Sequence, residues 1–307
     1  MSLSQIINLS LFQAQLRMAT PILFAALGGL LCERVGVVNI GLEGIMLTSA
    51  FFGVLVTYFT SSPLLGFLGG LASGFLWGLV IAVLTVRFFG NQIVVGTGVN
   101  VFGLGLSAFL SQKIWGSRGA SEAVSGFAPL RSDLLARLPY LGPVLNEHTF
   151  LVYLAIALVF VLHFFLFATP WGLRLRAVGE NPQAADTAGI NVFRYKTLGV
   201  VAGSLVASLG GVFLSLGHLN FFAWGMTSGR GFIGLAAMIF GKWTPLGCLL
   251  SSLLFGFADA LQMRLQALGV LPSQIILLIP YLVTILVLSG FVGRAVPPAR
   301  YEPYRKE

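Results

Sequence analysis

Charge is scarce in this chain. Asp, Glu, Lys and Arg fill 9% of 307 positions, against about 25% in an ordinary soluble domain, which excludes a water-bathed globule. Cysteine is nearly absent: Cys32 and Cys248 both sit in apolar runs, which excludes a disulfide framework. The three histidines stand singly, and no metal-ligand spacing forms around them. A phosphate-binding loop needs Gly-x-x-x-x-Gly-Lys-Ser/Thr. Gly241-Lys242 comes nearest and fails, because position 236 is Ala and position 243 is Trp. No Gly-x-Ser-x-Gly nucleophile turn occurs either. Asp259, His163 and His218 are too scattered for the buried relay of a proton-coupled carrier. The first sixteen residues hold no basic residue, so no cleavable signal peptide is expected. From these absences the sequence predicts no catalytic, cofactor-binding or metal-binding residue.

What is present is apolar sequence: 57% hydrophobic residues and a mean hydropathy of +0.92. A helix needs about 20 apolar residues to cross a bilayer. By that measure spans fall near 17–33, 42–60, 64–86, 93–112, 149–169, 195–218, 229–242, 246–264 and 272–290. The expected fold class is all-α, one polytopic membrane domain over 1–307 with about nine helices. The net charge of +8 reads as an orientation signal rather than a nucleic-acid surface. With the loop 170–196 in the cytoplasm, eleven basic residues fall inside and seven outside, four of those seven in the long external loop 113–148. The C-terminus is then expected in the cytoplasm.

Two stretches match each other. "SSPLLGFLGGLASGFLWGLV" (61–80) parallels "KWTPLGCLLSSLLFGFADAL" (242–261), and "NQIVV" (91–95) parallels "SQIIL" (273–277). Pro63 precedes Gln92 by the same 29 positions that separate Pro245 from Gln274. The two copies, about 39–112 and 225–290, are predicted to run in opposite directions, as in transporters built from inverted repeats. In each copy the element before the matched proline is irregular, carrying "NIGLEG" in the first and "TSGRG" in the second. Irregular backbone at membrane depth is tolerated where protein or a water-filled cavity covers it. A translocation pathway is expected where these elements meet. Its candidate lining is Asn39, Glu43, Thr97, Asn100, Asn220, Phe221, Trp224 and Arg230. "NFFAW" (220–224) also reads as an interfacial aromatic belt, and Glu43 and Arg230 as charges solvated near the interfaces.

"RAVGENPQAADTAGINVFRYK" (176–196) is the longest polar stretch in the second half. Asn181 before Pro182 is a helix start, Ala-rich sequence propagates it, and Gly189 stops it. Two turns do not hold alone, so this helix needs a partner surface.

Here a resemblance becomes specific. "RAVGENPQAADTAGI" resembles the coupling-helix loop of bacterial ABC importer permeases of the sugar and branched-chain amino acid type. "ERVGVVNIGLEGIML" (33–47) and "GRGFIGLAAMIFGKWTPLG" (229–247) resemble the two signatures of the nucleoside-importer branch. The resemblance implies a non-catalytic permease subunit of the bacterial cytoplasmic (inner) membrane. It implies as partners a second permease, identical or homologous, an ABC ATPase subunit that uses the ATP, and an extracytoplasmic substrate-binding protein or lipoprotein. It implies that Gly179, Glu180, Asn181, Pro182, Ala184, Ala185, Asp186 and Gly189 engage the ATPase. A simple-sugar permease and a self-sufficient carrier with inverted repeats stand as alternatives.

Overall fold

The computed structural model describes residues 8–131, 141–268 and 272–276, and the scattered positions 278, 282, 283, 285, 297, 299, 301 and 304. The elements, in chain order, are α1 (Leu9–Glu33), α2 (Leu42–Thr60), α3 (Pro63–Ala82), α4 (Gln92–Trp115), α5 (Leu141–Leu145), α6 (Phe150–Ala168), α7 (Pro170–Glu180), α8 (Pro182–Thr187), α9 (Val192–Val212), α10 (Arg230–Phe240), α11 (Pro245–Leu268) and α12 (Ser273–Ile276). Two π-helical ends, Val83–Arg87 and Phe213–Leu219, extend α3 and α9. Among the described residues seven helices are long and apolar enough to cross a membrane: α1, α2, α3, α4, α6, α9 and α11.

Each of the seven matches a predicted span. The predicted span 229–242, short and flanked by "TSGRG" and "GKWTP" as a broken helix would be, is the 11-residue α10. At 1.5 Å per residue it covers about 16 Å, half of a bilayer core of about 30 Å. The predicted span 272–290 lies largely outside the described residues.

α1 is the hub, packed by α9, α10 and α11, and 83% of its apolar window is buried against 22% for α4. Lipid supplies no hydrophobic drive between helices, so small residues that let backbones approach must hold them together. They do so here. Gly28 of α1 and Gly203 of α9 face each other, each against the other's carbonyl, with no room for a Cβ on either. Gly74 and Gly78 of α3 press on Ser208 and Ser204 of α9 in the same way. Both prolines of the matched stretches open helices, Pro63 in α3 and Pro245 in α11, as the missing proline N–H allows at a first helical position.

The segment after α4 is not a free loop. Backbone N–H groups of Ser121, Val124 and Phe127 donate to the carbonyls of Phe222, Asn220 and Leu216, and Trp224 N–H donates to Gly119. It therefore runs antiparallel along the end of α9 and fixes the course of "NFFAW".

Candidate functional site

Glu43 stands in the first turn of α2. Its two carboxylate oxygens accept from the backbone N–H groups of Gly229 and Gly231, each at 2.7 Å. These are the N-cap and second residues of α10. One carboxylate thus sits at two helix N-termini, its own and that of α10, where unsatisfied N–H groups and the helix dipoles favour negative charge. Gly229 has φ 81° and Gly231 lies against the Glu43 backbone, so the tight approach uses both glycines of "GRG". The two irregular elements do meet. The charges in them do not pair: the Arg230 guanidinium lies 3.4 Å from the carbonyls of Met226 and Thr227.

The asparagines serve this corner from inside. Asn39 and Asn100 are buried. Asn39 Oδ1 accepts from Gly41 N–H at 3.0 Å. Asn100 Oδ1 accepts from Gly44 N–H at 2.8 Å, and its Nδ2 donates to Ile40 at 3.0 Å. Both satisfy backbone groups that the break before α2 leaves open. Thr97 points outward from α4, its hydroxyl donating to Ile93. The aromatic cluster divides. Phe222 is fully buried, edge-on to Phe51 at 5.2 Å, Phe221 is half-buried, and Trp224 is 53% exposed with its indole N–H directed at Leu104. Asn220 is exposed and adopts φ 61° at the end of the π-helix.

A second corner lies at the C-terminal end of α1, with partners far away in the chain. The buried Glu33 carboxylate accepts from Trp243 Nε1 and, at 2.9 Å, from the Tyr301 hydroxyl. Burial, then the neighbouring Glu33 charge, pushes the Tyr301 phenol above its usual range. Arg34 donates to the Trp243 carbonyl. Arg34 and Arg176 both lie over the Phe167 ring, at 5.4 and 4.9 Å. Gly179 of α7 abuts the Arg34 carbonyl. The first signature, the second signature and the polar loop therefore converge on Glu33–Arg34. The adjacent Glu-Arg pair at a span end was the one available signal.

The polar loop is two helices. Thr169 caps α7 by accepting from Gly172 N–H at 3.1 Å, with Pro170 first in the helix. Asn181 ends α7 and starts α8, its Oδ1 accepting from Ala184 N–H at 3.1 Å. At the far end Gly189 (φ 79°) donates to Asp186 and Ile190 donates to Ala185, the paired bonds of a Schellman stop. Glu180, Asn181, Ala184 and Gly189 are exposed and Pro182 is half-exposed. Gly179 and Ala185 are buried. Both face this chain's own core. Asp186 accepts from the Tyr304 hydroxyl at 2.8 Å. Beside α8 opens a cleft of about 420 Å³, lined by Trp171, Arg174, Asn191, Arg194 and Tyr195 among others.

Comparison with known proteins adds to this geometry. Residues 11–288 match the family described as the branched-chain amino acid transport system / permease component. The chain is 40% identical to a guanosine ABC transporter permease protein of Bacillus subtilis, over 100% of this chain and 99% of that protein. It is 39% identical to a nucleoside ABC transporter permease protein of Lactococcus lactis, over 91% of each. It is 38% identical to a putative glucose ABC transporter permease protein of Haloferax volcanii, over 97% of this chain and 98% of that one. No solved structure matches.

Proposed function

As the chain belongs to the branched-chain amino acid transport system / permease component family, we propose that it is the multi-pass membrane subunit of an ABC importer whose cargo is nucleosides. The observation that carries this reading is α8: a short helix, capped at both ends and mostly exposed, on a chain similar from end to end to guanosine and nucleoside permeases. The exposed face of α8 and the cleft with Arg174 and Arg194 offer the surface for a cytoplasmic ATPase subunit. Through Gly179, Arg34 and Trp243 that surface is in van der Waals and hydrogen-bond contact with the turn that follows α10. A push on the loop therefore has a rigid route toward the two broken helices. In this reading the tail at Tyr304 belongs to the ATPase side, and its hydrogen bond to Asp186 of α8 supports that assignment. The matched stretches are read as an inverted repeat, supported by Pro63 and Pro245 each opening a long helix.

The pathway runs on the exposed side of α4. Thr97 and Trp224 face it, with Glu43 holding the two helix N-termini beside it. Asn39 and Asn100 act behind, as supports. A second permease subunit closes the pathway, and a substrate-binding protein delivers cargo from outside. Stacking of a base on an aromatic ring is worth about 1–3 kcal/mol, and Trp224 presents such a ring.

The glucose permease relative supports a second reading, a simple-sugar importer. Competition decides between them. Uptake of radiolabelled guanosine by cells carrying the intact transporter is expected to fall with unlabelled nucleosides and to ignore glucose. Uptake of glucose with indifference to nucleosides would replace the nucleoside reading with the sugar one.

A further inference from the structure

Three residues close to the end of the chain, Ala299, Tyr301 and Tyr304, touch five helices. Tyr304 donates its hydroxyl to Asp186 of α8 at 2.8 Å, from 118 positions away. Its ring packs on Phe193, in the first turn of α9, with centroids 5.6 Å apart, and the residue is buried. Tyr301 faces other elements. Its hydroxyl donates to Glu33, the last residue of α1, at 2.9 Å, and its carbonyl accepts from Gln92 Nε2 at 3.2 Å. Ala299 lies beside Gly179 of α7, where an added Cβ would come within 3.3 Å of the alanine methyl.

Gln92 is the junction. It opens α4, and a side-chain amide offers a donor and an acceptor at once. The donor holds Tyr301. The acceptor takes Val38 N–H at 2.7 Å, in the link between α1 and the broken start of α2. The tether from this junction to α8 is short: the three peptide units joining Tyr301 to Tyr304 span at most about 11 Å. A displacement of α8 by a few ångströms is a large fraction of that length. α8 itself has six residues and one buried side chain, Ala185. A helix that short does not hold its place alone, so the groups it leans on decide where it moves.

We propose that the tail is a strap that passes movement of α8 to the start of α4 and to the link before α2, with Tyr304 positioning α8 and Gln92 receiving the load. The route is separate from that through Gly179, Arg34 and Trp243, which ends at the turn after α10. One surface then reaches both sides of the Glu43 contact, α2 by the strap and α10 by the arginine. The inference deepens the transport reading and rests on it.

The test uses the intact transporter in proteoliposomes, with its second permease, ATPase and binding protein. Guanosine uptake is measured against the ATP hydrolysed in response to the loaded binding protein. Tyr304→Phe keeps the ring on Phe193 and removes only the hydroxyl. It is expected to assemble and to hydrolyse ATP, while guanosine carried per ATP falls roughly threefold or more, the scale of one hydrogen bond. The apparent KM for the loaded binding protein is expected to stay at the wild-type value. In an Asp186→Ala background Tyr304→Phe is expected to have no further effect, because the two groups then act as one unit. The strap is overturned, with the transport reading intact, if Tyr304→Phe carries the wild-type amount of guanosine per ATP, or lowers it equally whether or not Asp186 is present. Failure of the wild-type assembly to take up guanosine with ATP would instead overturn the transport reading, and the strap with it.

Discussion

Single side chains in this protein hold backbone that is otherwise hard to satisfy. Glu43 accepts two N–H groups from a loop 186 and 188 residues away. Glu43→Gln keeps the shape but offers one oxygen, so one N–H loses its acceptor. The expected loss is about 1–3 kcal/mol of stability, read as a lowered unfolding midpoint together with reduced uptake. An unchanged midpoint would show that the clamp is idle. The neighbouring pair Ala184 and Ala185 separates the proposed interface from the core. Ala184 is exposed and Ala185 buried. Ala184→Arg is expected to stay within about 0.5 kcal/mol of wild-type stability and to lose co-purification with the ATPase subunit. Ala185→Arg overpacks the core by roughly 3 kcal/mol and lowers expression of folded protein. If the two variants behave alike, the assigned outer face of α8 is wrong. Nothing in the sequence distinguishes these adjacent alanines, because burial depends on α7 and α9 packing behind α8.

At the scale of elements, local grammar was readable and distant contacts were not. Asn181, Pro182 and Gly189 announced α8 because their bonds reach residues only three to five positions away. A cap residue followed by proline also marks α7, at Thr169–Pro170, in a stretch that reads as loop because it is too polar to span a membrane. The half-length α10 followed from "TSGRG" and "GKWTP" flanking a run too short to cross. By contrast, Glu33 with Trp243 and Tyr301 spans 210 and 268 positions, and no periodicity encodes that. The stop of α8 gives a test of its own. Gly189 holds φ 79°, and Gly189→Ala forces a side chain into left-handed backbone at a cost of roughly 1 kcal/mol. ATPase activity of the assembled transporter is expected to couple less well to uptake, with the long helices unaffected by circular dichroism. Full coupling in Gly189→Ala would mean that the ordered end of α8 is not needed.

Over the whole molecule, scarcity of charge and runs of about 20 apolar residues were enough to place seven long helices. Which of them lies at the centre was not legible. α1 is more buried than α3, α4 or α6, although its sequence is no greasier, because its small residues meet those of α9, α10 and α11. The candidate pathway residues were chosen as polar groups in apolar surroundings. That criterion finds both exposed groups such as Thr97 and buried supports such as Asn39 and Asn100, since each is polar for a different reason. Reconstitution in liposomes tests the central claim most directly: accumulation of radiolabelled guanosine by the chain alone, and by the chain with its second permease, binding protein and ATPase. An importer subunit predicts accumulation only in the complete assembly and only with ATP. Accumulation by the chain alone, driven by an ion gradient, would contradict the account.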